Sequence, residues 1–268
     1  MHLRDRPIPI LAFPHTTADF HLVQFDSGHA EHTDPLVPID TYGVMSQPYA
    51  ERQVLVRRTT PPLLSQYTTQ QVWARRQVAQ RLQQVNASLA PLGYALFVKD
   101  AYRPLEVQQE YWAYFIDQAR QAAPEATPED WQAYACQYCS DPTHFAPDAP
   151  ASWPLHSTGG AVDVTLVDLA TGEELFMEEP TAPYGDTSHS HYYEKRLQAG
   201  EPLTGQDLTA LANRRVLYHA MLRAGFTNYP HEWWHYDYGT AMHGLVRAFH
   251  GHVEAATSWY AYTAHPER

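Results

Sequence analysis

The stretch Pro230-His231-Glu232-Trp233-Trp234-His235-Tyr236 constrains this chain more than any other. It places an acid three residues before a histidine, among large aromatics. A second stretch, His156-Ser157-Thr158-Gly159-Gly160-Ala161-Val162-Asp163, supplies another histidine and another acid. Together they offer His156, Asp163 and His235 as three metal ligands, with the Glu232 carboxylate left over. Three N/O ligands, an open fourth position and one unligated acid are the parts of a hydrolytic zinc site. The chain must therefore fold so that two distant segments meet.

A rival arrangement uses only the first stretch. His231-Glu232-Trp233-Trp234-His235 matches His-Glu-x-x-His, which on a helix sets two histidines on one face with the Glu as base. Glu254 lies at nearly the distance a third ligand from a following helix would need. Pro230 and Gly239 bracket the stretch, however, and Trp-Trp-His-Tyr-Asp-Tyr is strongly β-prone. On a strand His231, Trp233 and His235 share a side, and Glu232 faces away from His235 unless the strand twists or bulges. Helix and strand predict different ligand sets, and periodicity alone leaves both open. The bland alternatives are core packing for the Trp pair, a hydrogen-bonded His156 and an ordinary loop acid at Asp163.

The rest of the chain narrows the partner. It has 268 residues, 44% apolar and 13% aromatic, enough for a real core in one large domain or two small ones. Eighteen basic against thirty acidic residues give a net charge of −12, which argues against nucleic acid or an anionic membrane as partner. No stretch approaches the ~20 apolar residues of a membrane span, and no apolar run follows the charged N-terminus as a signal peptide requires. A cytoplasmic protein is expected. Cys136 and Cys139 form one lone Cys-x-x-Cys in a helix-like segment and read as ordinary thiols. Most of the sixteen histidines, among them His15, His21, His29, His32, His250 and His252, read as surface residues.

Taken in order, residues 1–40 read as an irregular arm with one short strand at His21–Phe25. Gln53–Val56 fits a strand or a helix start. From Thr68 to Ala90, the residues Ala74, Val78, Leu82, Val85 and Leu89 recur at helical spacing, stopped by Pro91 and Gly93. Tyr94–Val98 reads as a strand. It leads through Arg103 and Pro104 into a helix with Val107, Tyr111, Phe115 and Ala119 on one face. Position alone does not separate an Arg103 that reaches over a cleft from one paired with Asp100 or Glu106. Thr127 caps a third helix. Ala161–Val167 alternates as a strand, and an inward Asp163 is costly there unless paired or on a metal. Residues 168–203 read as a long loop. A helix over Thr204–Ala224 turns Leu208, Leu211, Ala212, Val216 and Ala220 inward and stops at Gly225. The order of elements past Ala241 is open, and the tail from about His252 reads as frayed. The sum is one α+β domain over residues 41–268 with an N-terminal arm.

Three motifs carry a resemblance: Asp100-x-Tyr102-Arg103-Pro104, His156-Ser157-x-Gly159-x-Ala161-x-Asp163-x-Thr165-Leu166 and Glu232-Trp233-Trp234-His235-Tyr236. Their order and spacing, and the Asn213-Arg214-Arg215 helix ending in Gly225-Phe226, resemble the D-alanyl-D-alanine dipeptidases, the VanX-like zinc peptidases. More distantly they resemble the D,D-carboxypeptidases and the hedgehog-type fold. The resemblance covers roughly residues 40 to 245. It implies a small, mostly antiparallel sheet with flanking helices, and one zinc ion per chain on His156, Asp163 and His235. It also implies Glu232 as catalytic base, Arg103 stabilising the oxyanion, and a small dipeptide as substrate. It favours strand and turn over helix at 230–236 and leaves His231 without a ligand role. Two departures fall in the substrate pocket. Pro154 stands where the family often has Ser, and the loop Glu179–Asp186 is longer than the family's. Asp186 is the best match for the acid that holds the substrate's free amine. The alternatives are a D,D-carboxypeptidase acting on longer peptidoglycan peptides, and a non-catalytic zinc-binding module.

Overall fold

The computed structural model describes residues 2–47, 71–178 and 185–265. In chain order they form strands β1 (Gln24–Phe25), β2 (Leu36–Pro38), β3 (Met45–Ser46) and β4 (Trp73–Arg75), helix α1 (Arg76–Leu89), β5 (Tyr94–Asp100), α2 (Leu105–Ala122) and α3 (Pro128–Ala135). There follow β6 (Ala161–Asp168), α4 (Tyr192–Gln198), α5 (Gly205–Arg223), β7 (Thr227–Asn228), β8 (His235–Asp237), α6 (Ala241–Phe249) and β9 (Thr257–Ser258). The class is α+β. Five strands make one sheet in the order β3-β5-β6-β8-β7, antiparallel except for the β3–β5 edge.

Local chemistry sets the helices. Val78, Leu82, Val85 and Leu89 give α1 one apolar stripe, and Gly93 ends the turn beyond it at φ +80°. The first turns of α3 and α5 are held by reciprocal caps, Thr127 with Asp130 and Thr204 with Asp207.

The alternation of β6 then sorts the two faces of the sheet. Val162, Val164 and Leu166 join the core with Leu82 and Val85 of α1 and Val216, Leu217 and Met221 of α5. Each such buried aliphatic contributes roughly 1.5–3 kcal/mol relative to exposure. Asp163, out of phase with them, points to the opposite face. Ala161 on that face packs in a second cluster with Phe13, Phe20, Tyr229 and Met242.

Several expectations need correction. Ala74 is buried on β4, not on a helix: residues 73–75 pair antiparallel with β2, and the helix starts at Arg76. The arm holds two strands where one was expected: Gln24–Phe25, after a 3-10 turn over Thr17–Leu22, and Leu36–Pro38, which pairs with β4. The expected loop 168–203 contains α4. Leu208 is 50% exposed, because the buried face of α5 begins at Ala210 and Leu211. The chain past Ala241 forms α6, and the tail is not frayed through Tyr260. There β9 pairs in parallel with β1, and the backbone amides of Trp259 and Tyr260 donate to Gly239 O at 2.9 and 3.1 Å. The expected strand or helix start at Gln53–Val56 lies outside the described residues, as do Thr68–Gln70. Cys136 and Cys139 are free, at and just beyond the end of α3; burial pushes the Cys139 thiol up to about 12.

Arg75 gathers the distant parts. Its Nε donates to Thr158 O at 2.7 Å, Nη1 to Asp34 O at 2.6 Å and Nη2 to Ala261 O at 2.7 Å. One guanidinium thus ties the arm, the tail and the His156 loop. In that loop a Cβ on Gly160 would lie 2.6 Å from Tyr238 O and 2.7 Å from Thr240 Cγ2. Gly160→Ala is therefore expected to destabilise the fold by roughly 1–3 kcal/mol. Urea unfolding would show it, and an unchanged midpoint would mean that the contact relaxes freely.

Candidate active site

Register brings the acids and the imidazole together. Asp163 of β6 sits directly opposite His235 of β8, and opposite Asp100 of β5. In an antiparallel ladder opposed residues share a face. Asp100 joins that face because β5 carries a bulge between Val98 and Asp100, which Lys99 fills. Strict alternation without the bulge would turn Asp100 to the helix-covered side with Val98.

His156 enters from the loop before β6. Its Nδ1 lies 2.7 Å from Ala101 O, which can only accept, so Nδ1 carries the proton and Nε2 turns towards Asp163 Oδ1 at 3.6 Å. His235 is the mirror case. Its Nε2 lies 3.0 Å from Asp237 Oδ2, and its Nδ1 lies 2.9 Å from Asp163 Oδ1. Asp237 is itself fully buried and accepts from Thr240 Oγ1 at 2.7 Å. One ligand atom from each of His156, Asp163 and His235 falls within 4.8 Å of the other two. Each imidazole has its outer nitrogen anchored and its inner nitrogen aimed at the same point, as metal-ligating histidines do. The donor set fits a divalent cation of the zinc type.

Glu232 faces the cluster because the chain turns before it becomes a strand. Glu232 N donates to Tyr229 O at 3.0 Å, and His235 N donates to Glu232 O at 3.3 Å. Asn228 Nδ2 bridges the carbonyls of Glu232 and His235 at 2.9 and 3.0 Å. The turn brings Glu232 Oε2 to 3.7 Å from His235 Nδ1, on the same side. This resolves the helix-or-strand question against the helix. His231 turns away from the cluster and pairs its Nδ1 with His189 Nε2 at 3.3 Å.

Arg103 closes the other edge. Its Nη2 is 4.0 Å from Asp163 Oδ2. Nε and Nη2 both donate to Asp100 Oδ2, at 3.1 and 2.6 Å, and Nη1 donates to Gln108 Oε1 at 2.7 Å. The guanidinium lies 4.1 Å from the centre of the Tyr111 ring. The local pairing with Asp100 and the reach towards the site are thus both real. Asp186 is exposed and stands at the wall of a cavity of about 560 Å³, with His189, Tyr192 and Lys195. The metal-type cluster does not line that cavity. Pro154 precedes the His156 turn, and its carbonyl accepts from Ser157 N at 3.0 Å. The remainder of the longer loop, Glu179–Tyr184, lies outside the described residues.

Electrostatics follow from burial. Burial pushes the Glu232 carboxyl up to about 8; His235 and Arg103 oppose this, while Asp163 and Asp237 add to it. Burial alone would also raise Asp163, but His156 and then His235 outweigh it and hold the acid far below the usual range. Burial disfavours a charged His235, yet Asp237 and Asp163 hold its proton well above the ordinary value. Sequence reasoning missed Asp237, Gln108 and Tyr111. Asp237 had a signal, since it stands two residues beyond His235 on a β-prone stretch and so shares its face.

His156 and His235 are buried and Asp163 between them is half-buried, with the Glu232 carboxylate and the Arg103 guanidinium beside them. The family profile described as D-ala-D-ala dipeptidase, peptidase M15, matches residues 44–254, and the chain belongs to that family. The D-alanyl-D-alanine dipeptidase of Synechocystis sp. is 29% identical over 224 residues, covering 78% of this chain and 83% of that protein. The enzyme of the same description from Enterococcus faecalis is 29% identical over 181 residues, covering 63% of this chain and 75% of that protein. Among solved structures, the vancomycin-resistance D,D-pentapeptidase VanY in complex with Zn(II) is 19% identical, with 74% of this chain and 92% of that chain covered and a TM-score of 0.38. No helix among the described residues is long and apolar enough to cross a membrane.

Because Asp237 fixes the His235 ring, Asp237→Asn is expected to weaken divalent-metal affinity about 10–100-fold. Competition with a chromophoric chelator measures this, and an unchanged affinity would remove Asp237 from the site.

Proposed function

We propose that this metallopeptidase hydrolyses the peptide bond of a small dipeptide, D-alanyl-D-alanine in the first place, with one zinc ion per chain. His156, Asp163 and His235 hold the zinc. The observation that carries the reading is the convergence of two buried imidazoles and the half-buried Asp163, with Glu232 on one side and Arg103 on the other. Membership of the dipeptidase family supports the substrate class.

Zinc so held would supply Lewis acidity, lowering the pKa of water towards ~7. Glu232, dry and 3.7 Å from His235, takes the proton from the attacking water and delivers it to the leaving amine. Arg103 places fixed N–H donors where the carbonyl oxygen gains charge, and Asp100, Gln108 and Tyr111 hold them still. Asp186 binds the free amino group of the substrate and so restricts cleavage to dipeptides. Residues 41–268 form the catalytic domain, with the arm packed against it.

Glu232→Ala is expected to retain zinc and lose ~10²–10⁴ in kcat; normal turnover by a zinc-loaded mutant would refute the base assignment. Arg103→Ala should lower kcat by ~10² with little change in KM, since its charge acts on the transition state. A purely structural arginine would leave the kcat of the folded fraction intact. A panel of D-Ala-D-Ala, L-Ala-L-Ala and N-acetyl-D-Ala-D-Ala, with and without chelator, tests the whole reading. Only the free D,D-dipeptide should be cleaved, and only without chelator. Cleavage of the N-acetylated form would identify a D,D-carboxypeptidase instead, and a zinc-loaded but inert protein a binding module.

A further inference from the structure

We propose that Arg214 is a positioning residue for recognition of the substrate amine, fixing the segment that carries Asp186 against the turn that carries Glu232. This rests on the reading of Asp186 given above. Arg214 lies on α5 and its side chain is only 1% exposed. Its Nε donates to Met177 O at 2.9 Å. Nη2 donates to Glu178 Oε2 at 3.1 Å and to Thr187 O at 2.9 Å, and Nη1 donates to His189 O at 3.0 Å. The rings of Tyr193 and Trp233 flank it at 4.8 and 5.4 Å.

The acceptors come from two strips of chain, Met177–Glu178 and Thr187–His189, and the second adjoins Asp186. Asp186 itself is exposed, and its place is set through backbone: His189 N donates to Asp186 O at 3.2 Å. The same strip is joined to the Glu232 turn. Trp233 N donates to Ser188 O at 2.9 Å, Ser190 N to Pro230 O at 3.0 Å, and Ser188 Oγ to His231 O at 2.8 Å. Guanidinium, strip and turn therefore form one hydrogen-bonded body, with the amine-binding acid and the base on neighbouring parts of it. Stability alone does not require a buried cation, since well-packed apolar residues often serve as well. What Arg supplies, and Lys cannot, is a rigid planar fork that reaches several carbonyls at once.

The test is a double-mutant cycle on the full-length, zinc-loaded chain: wild type, Asp186→Asn, Arg214→Lys and the double mutant. D-Ala-D-Ala is the substrate, and zinc content is measured for each protein. Arg214→Lys should raise KM about tenfold, change kcat less than about threefold, and have almost no further effect once Asp186 is Asn. Equal losses in both backgrounds, or a loss in kcat alone, would make Arg214 merely structural and overturn the proposal. A silent Asp186→Asn would instead sink the amine reading, and this inference with it; that single mutant tells the two failures apart. If Arg214→Lys does not fold, Glu178→Gln replaces it in the cycle. It removes one charged acceptor and leaves the three carbonyl bonds. A KM rise confined to the Asp186 background supports the proposal, and an equal effect in both backgrounds overturns it.

Discussion

The site depends on one register. Asp163 of β6 must stand opposite His235 of β8, and a slip of one residue would send one of them into the apolar core. The pairing is held from the other face by Val162 opposite Tyr236, both buried among α1 and α5 residues. Hydrophobic burial on one face of the sheet thus sets polar geometry on the other. The bulge at Lys99 extends the same row by one strand, adding Asp100 and through it Arg103. Three adjacent strands supply an ordered line of acid, acid and imidazole, and the two flanking turns supply the remaining groups.

This division explains what could be read in the sequence. Asp163 on an alternating strand, and the histidines before and after it, were visible because an inward carboxylate has few harmless explanations. The helices α1, α2, α3 and α5 were visible from apolar spacing and from their Thr and Gly boundaries. Glu232 and His235 sharing a side was not visible, because it depends on a turn held by the Asn228 side chain rather than on a period. The bulge was equally hidden, as Val98-Lys99-Asp100 is an unexceptional strand sequence. The tail was misread because its burial comes from pairing with residues at the far end of the chain, which no local pattern records.

Three buried arginines recur as organisers. Arg75 binds carbonyls of the arm, the His156 loop and the tail. Arg103 is locked by Asp100 and Gln108 at the edge of the cluster, and Arg214 spans two strips beside the Glu232 turn. Each guanidinium satisfies backbone or carboxylate groups that irregular chain would otherwise bury without partners. A site built mostly from loops needs such cross-braces, because loops lack the ladders that position strands.

The pairing of Gln24 with Thr257 joins positions separated by nearly the whole chain. Arg75 likewise joins β4 to Ala261 and to Thr158 beside His156. Order around the histidine loop is thereby coupled to contacts of very high sequence separation, the kind that form slowly because a large loop must close first.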